Sequence, residues 1–283
     1  MSDAPRHIST LSVLAAGLDH PEGVAWGPDG KVYAGGEAGQ LYRISLENGS
    51  FETFANTGGN ILGLTLDASG NVYACDMGRN EVVRATPGGA VSTYSAGNTG
   101  QRMRLPNYPV FDDAGNLYVS DSGDWGARDG LIWRIRPGGH AEIWDRQASG
   151  FPNGMCLSPD GRSLYVVESS PPLVARIPMS IDGSAGRREV LVELPRTVPD
   201  GIALDSEGSL YISLYNPNII YCFRAGSLSM LYDDWEQLKL IAPTNIAFCG
   251  ADMRTLLIAN LCGSHLATAP MSAPGLPLRY PRI

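Results

Sequence analysis

One unit recurs six times along this chain, and no other feature restricts the fold as much. The stretch from Pro21 to Ala34 (PEGVAWGPDGKVYA) reads as a short apolar strand, a Pro-Asp-Gly turn and a second strand rich in aromatic and β-branched residues. It returns as GLTLDASGNVYA from Gly63, PNYPVFDDAGNLYV from Pro106, PNGMCLSPDGRSLYV from Pro152 and PDGIALDSEGSLYI from Pro199. A more diverged copy, PTNIAFCGADMRTLLI, begins at Pro243. The turn glycines Gly30, Gly70, Gly115, Gly161 and Gly208 are spaced by 40, 45, 46 and 47 residues. Two weaker strands follow each copy, such as LYRISL and FETFA in the first and LIWRIR and AEIWD in the third. Four antiparallel strands in that length make a propeller blade.

The pattern predicts an all-β fold, a six-bladed β-propeller forming one domain over residues 1–283. The blades start near residues 20, 60, 105, 151, 198 and 242, and no amphipathic helix is predicted. The segment ISTLSVLAA from Ile8 supplies a strand to the short last blade, so the two chain ends close the ring together.

Composition excludes several function classes. With 43% apolar residues the chain can bury a large core, which rules out disorder. The net charge is −8 and there is no run of Lys or Arg, so no nucleic-acid partner is expected. Apolar runs are too short to span a bilayer, and Met1-Ser2-Asp3-Ala4-Pro5 lacks the form of a secretory leader, so no membrane partner and a cytoplasmic location are expected. The five cysteines show no C-x-x-C spacing and read as small apolar residues, Cys156 and Cys249 above all.

In a propeller the first strand of each blade lies nearest the axis. The register therefore puts Glu22, Leu62, Asn107, Asn153, Asp200 and Thr244 at one level around it. Asn and Asp are ordinary turn residues, but Glu22 has no turn preference and keeps the same register. Two carboxylates and two carboxamides suit a hard cation, which wants several oxygens. Scattered histidines and unpaired thiols disfavour zinc. The second strands should end on the same rim with Gly36, Asp76, Asp121, Glu168, Leu214 and Asn260.

At these residues the chain resembles the SMP-30/gluconolactonase family, whose fold the diisopropylfluorophosphatases and paraoxonases share. PEG at Pro21, RLPN at Arg104, PNG at Pro152, PDG at Pro199, PTNIAF at Pro243 and PGLPL from Pro274 occur in order, one motif per blade in nearly every case. The resemblance implies a metal-dependent hydrolase of lactones holding one divalent cation, Ca2+ first, with Mg2+, Mn2+ and Zn2+ admissible. It assigns the metal to Glu22, Asn107, Asn153 and Asp200, and makes Asp200 a candidate base or nucleophile. A carboxylate engaged by a cation is a poorer base, so an unliganded Asp121 is the alternative catalytic residue.

Arg104, Trp125 in the loop 122–130, and His265 are the candidate substrate contacts; His20 reads as structural. Arg104 departs from the family pattern, lying three residues before Asn107 rather than two, and Tyr108 follows where an Asp is usual. The expected partner is a small-molecule lactone, and the expected assembly a monomer or small homo-oligomer. The alternatives are a non-catalytic Ca2+-binding or protein-interaction propeller and an organophosphate or aryl-ester hydrolase. A strictosidine synthase-like enzyme would not need the four-oxygen set.

Overall fold

The computed structural model describes residues 5–283, so most of the segment inspected for a leader lies outside the described residues. Six four-stranded antiparallel sheets are present, as the repeat predicts. Their inner strands are Val24–Trp26, Ile61–Leu66, Pro106–Phe111, Pro152–Leu157, Val198–Leu204 and Pro243–Cys249. Among the described residues the only helix is a 3-10 turn at Ile8–Thr10, and no helix is long and apolar enough to cross a membrane.

One carboxylate organises the turn in several blades. Asp67 Oδ1 accepts from the backbone N–H of Ser69 and Asn71, both at 2.9 Å, and its Oδ2 accepts from Tyr73 Oη at 3.1 Å. Asp205 repeats this with Glu207, Ser209 and Tyr211. The recurring D-x-x-G-x-x-Y signature is thus a turn closed by its own side chain and tied to the returning strand. The tyrosine rings then pack between blades. Tyr73 meets Phe111 of blade 3 edge-on at 5.0 Å, and Tyr211 meets Phe248 of blade 6 at 5.6 Å.

The last blade is shared by the two ends of the chain. Its outermost strand, Ser12–Ala16, pairs antiparallel with His265–Pro270 from Ser12↔Thr268 to Ala16↔His265. The remaining C-terminal residues cross the face where the inner strands end. Leu276 donates to Leu204 O at 3.0 Å, Tyr280 Oη to Trp26 O at 2.5 Å, and Ala68 to Pro281 O at 2.9 Å. This strap helps line an axial cavity of about 450 Å3, into whose wall half-buried Cys156 is built. All five cysteines are free, and Cys249 is buried as expected.

Candidate metal centre and its rim

The opposite mouth of the axis carries the register-matched residues. Glu22, Asn107, Asn153 and Asp200 are 4–7% exposed. Each encloses an oxygen without a hydrogen-bond partner: Glu22 Oε2, Asn107 Oδ1, Asn153 Oδ1 and Asp200 Oδ1. A buried acceptor left unpaired costs about 1–3 kcal/mol, so four at equivalent positions of one ring call for a common partner. Two carboxylates and two carboxamides form the donor set of a hard divalent cation, and the residues fit such an ion.

Electrostatics point the same way. Burial raises the Glu22 carboxyl well above its ordinary value and the Asp200 charge adds to this; burial pushes Asp200 up to about 7. The cation-free folded state thus holds protons that the unfolded chain releases above about pH 4. Its stability is fullest below that pH and is lost as pH rises toward the folded values. A bound cation favours the charged forms and removes the loss. We expect the melting temperature of EDTA-treated protein to fall by roughly 5 °C or more between pH 5 and pH 7.5. With Ca2+ it should hold, and scanning calorimetry with and without the ion measures both. An EDTA-treated protein with a flat profile would contradict this electrostatic account.

The residue after each ligand position sets how closely the blades approach. A Cβ on Gly23 would stand 2.2 Å from Leu62 O, one on Gly154 2.6 Å from Asp200 O, and one on Gly201 2.6 Å from Thr244 O. The glycine of PEG, PNG and PDG therefore makes room for the backbone of the next blade's axial residue. In blade 6 the same place is taken by Asn245, which is fully buried and donates from Nδ2 to Glu22 O at 3.1 Å. Sequence reasoning passed over Asn245, although an Asn where four blades have Gly was the available signal.

The second-strand acids stand where the register puts them, opposite Ile61, Pro106 and Pro152, but their bonds turn toward the loops. Asp76 Oδ1 accepts from Asn60 N at 2.9 Å, Asp121 Oδ1 from Leu105 N at 2.8 Å and Glu168 Oε2 from Gly150 N at 2.7 Å. Asn260 Oδ1 does the same for Ile241 N at 2.9 Å. Each tethers the loop that leads into the inner strand of its own blade. Asp121 Oδ2 also accepts from Arg104 N and Trp133 Nε1, both at 3.0 Å. Three donors on a residue 2% exposed make Asp121 a tether, which corrects the expectation of a free base. Asp121→Asn would set an amide N–H against those donors and should cost about 2 kcal/mol of stability, read as a lower melting temperature. Turnover should stay within about tenfold, whereas loss of a general base removes 100-fold or more. Leu214 stands at the matching register, opposite Pro199, and its side chain is fully buried in the core.

The expected substrate contacts are differently placed. Arg104 pairs with Asp124 and Asp129 of the loop 122–130, so its charge is spent holding that loop. Trp125, 58% exposed, packs edge-on against Phe151 at 4.9 Å, two residues before Asn153. His265 is buried with Nδ1 2.9 Å from Gly263 O and Nε2 2.9 Å from Lys239 O, and neither ring nitrogen is left for a ligand. His20 lies between Asp19 and Glu37 at 3.0 and 3.1 Å.

Fold and site together define a six-bladed propeller with an oxygen-lined mouth. Residues 93–261 match the SMP-30/Gluconolactonase/LRE-like region, and the chain belongs to that family. Residues 8–44 match the strictosidine synthase-like N-terminal family. A 6-deoxy-6-sulfogluconolactonase of Pseudomonas putida is 32% identical over 127 residues, 42% of this chain and 43% of that protein. The chain thus spans about two-fifths of the length of such a curated relative. A gluconolactonase structure from Xanthomonas campestris superposes with a TM-score of 0.80 at 21% identity, over 93% of this chain and 89% of that one. A structure of regucalcin, a calcium-binding protein from Agrobacterium tumefaciens, gives a TM-score of 0.76 at 16% identity, covering 100% and 96%. These two structural likenesses establish the fold.

Proposed function

We propose that the protein is a divalent-cation-dependent lactonase working at the mouth formed by Glu22, Asn107, Asn153 and Asp200. The observation that carries this reading is the set of four buried, unpartnered oxygens at equivalent positions of the ring. Family membership and the lactonase names among the relatives support it.

Glu22, Asn107, Asn153 and Asp200 would hold the ion, Ca2+ first. When bound, it supplies Lewis-acid polarisation of the lactone carbonyl. The chain's own residues do the rest. Glu22 and Asp200 provide the negative charge that retains the ion, while Asn107 and Asn153 add neutral oxygens. Asp200 is the carboxylate proposed to take the proton of the attacking water, since both oxygens of Asp121 are occupied by N–H donors. Asp121, Glu168 and Asn260 position the loops from which the inner strands start.

The test is a panel of sugar, aliphatic and aromatic lactones, assayed after EDTA treatment and after return of Ca2+, Mg2+, Mn2+ or Zn2+. Hydrolysis lost with EDTA and regained with one cation is the expected result. Cation binding by calorimetry without hydrolysis of any lactone would replace the enzyme by a binding propeller. Hydrolysis unaffected by EDTA would remove the cation from the reading.

A further inference from the structure

Five large apolar side chains are exposed on the loops of the site-bearing face: Met77, Trp125, Tyr215, Trp235 and Leu238. Two of them are tied to the candidate centre. Trp125 leans on Phe151, which directly precedes the Pro152-Asn153 segment. Tyr215 is placed by a slip in strand pairing: Val198 pairs with Asn216 and Pro199 with Leu214, leaving Tyr215 as the extra residue of a bulge beside Asp200. Bulges of this kind re-aim a side chain.

Several polar side chains on this rim are committed elsewhere, although Asp76 Oδ2 and Asn245 Oδ1, like the four axial oxygens, are buried without a partner. Arg104 is held by Asp124 and Asp129, and Glu168 by Gly150 N and Arg188. Asp121 carries three donors, and both nitrogens of His265 meet carbonyl oxygens. A polyhydroxylated lactone needs a partner for each hydroxyl it buries, and a site short of them disfavours it. An alkyl or aryl substituent needs none and gains by covering exposed ring surface.

We propose that the lactone acted on here carries an apolar substituent, alkyl or aryl, that lies against Trp125 and Tyr215. This rests on the lactonase reading and adds the substrate class to it. Three lactones with the same six-membered ring separate the two ideas: δ-valerolactone without a substituent, δ-decalactone with a five-carbon chain, and D-glucono-δ-lactone with hydroxyls. The full chain is assayed with the cation that restores activity. The expected kcat/KM is highest for δ-decalactone, by about 10- to 100-fold over both others. Trp125→Ala and Tyr215→Ala should each reduce the δ-decalactone to δ-valerolactone ratio about tenfold, mainly through KM. Tyr215→Phe, which keeps the ring and loses the hydroxyl, should preserve it. Melting temperature and cation binding by calorimetry check that each variant is folded and loaded.

A preference for D-glucono-δ-lactone, or variants that lower all three rates equally, would overturn the substrate class and leave the lactonase standing. No hydrolysis of any of the three by folded, cation-loaded protein would overturn both.

Discussion

Glu22→Gln is expected to remove most cation affinity and, with it, most activity. The substitution keeps size and shape but deletes one of the two charges in a donor set whose other charged member is Asp200. Groups that merely support a metal ligand cost 10- to 100-fold in affinity when altered, so the loss of a charged ligand should cost at least about 100-fold. Loss of carbonyl stabilisation adds a comparable factor to turnover. Isothermal calorimetry with Ca2+ and lactone hydrolysis on the same preparation read both effects. The variant also relieves the repulsion that raises the acids, so the EDTA-treated variant should melt higher at pH 7.5 than EDTA-treated native protein. Native-like cation affinity in Glu22→Gln would remove Glu22 from the site.

Gly23→Ala is expected to be the most damaging change of a single methyl group near the site. The added carbon would lie 2.2 Å from Leu62 O and 3.0 Å from Gly63 Cα, both backbone atoms of the next inner strand. Backbone cannot rotate away as a side chain can, so blades 1 and 2 must separate. Overpacking of this kind costs about 3 kcal/mol, or roughly 6–12 °C in melting temperature for a chain of this size. Gly88→Ala is the matched control, because a Cβ there meets only Thr86 Oγ1 at 4.0 Å. Its melting temperature should stay within about 2 °C of the native value. A Gly23→Ala protein as stable as the control would show that the ring is more compliant than its contacts imply.

The ring and the level of Glu22, Asn107, Asn153 and Asp200 were legible because the repeat supplies register without any need for three-dimensional information. Once Glu22 aligns with Asp200, the two must stand at the same height around the axis. The second-strand acids show where register stops being enough. It places Asp121 and Glu168 correctly along their strands, but not whether a side chain turns to the axis or to the loop beside it. That choice belongs to the backbone N–H groups of Leu105 and Gly150, which become close only after folding. Tyr215 was hidden for a related reason, since a bulge reassigns which residue faces the site without altering residue type. His265 and Arg104 carry groups that suit a substrate equally well, and only their partners in the folded chain reveal them as ties.

The shared last blade dictates an order of events during synthesis. Ser12 and Thr268, hydrogen-bonded in the finished molecule, are 256 residues apart in the chain. The strand Ser12–Ala16 must therefore wait, unpaired, until residues 265–270 have left the ribosome. Until then Ser12–Ala16 is a bare strand able to pair with a neighbouring chain, and the blades already formed make an open arc whose end faces lack a partner. Closing so long a loop also places the slow, non-local step at the end of folding. A circular permutant that joins the two termini and opens the chain between two blades would make blade 6 from contiguous sequence. It should reach the native state faster and with less aggregation than the natural order of strands.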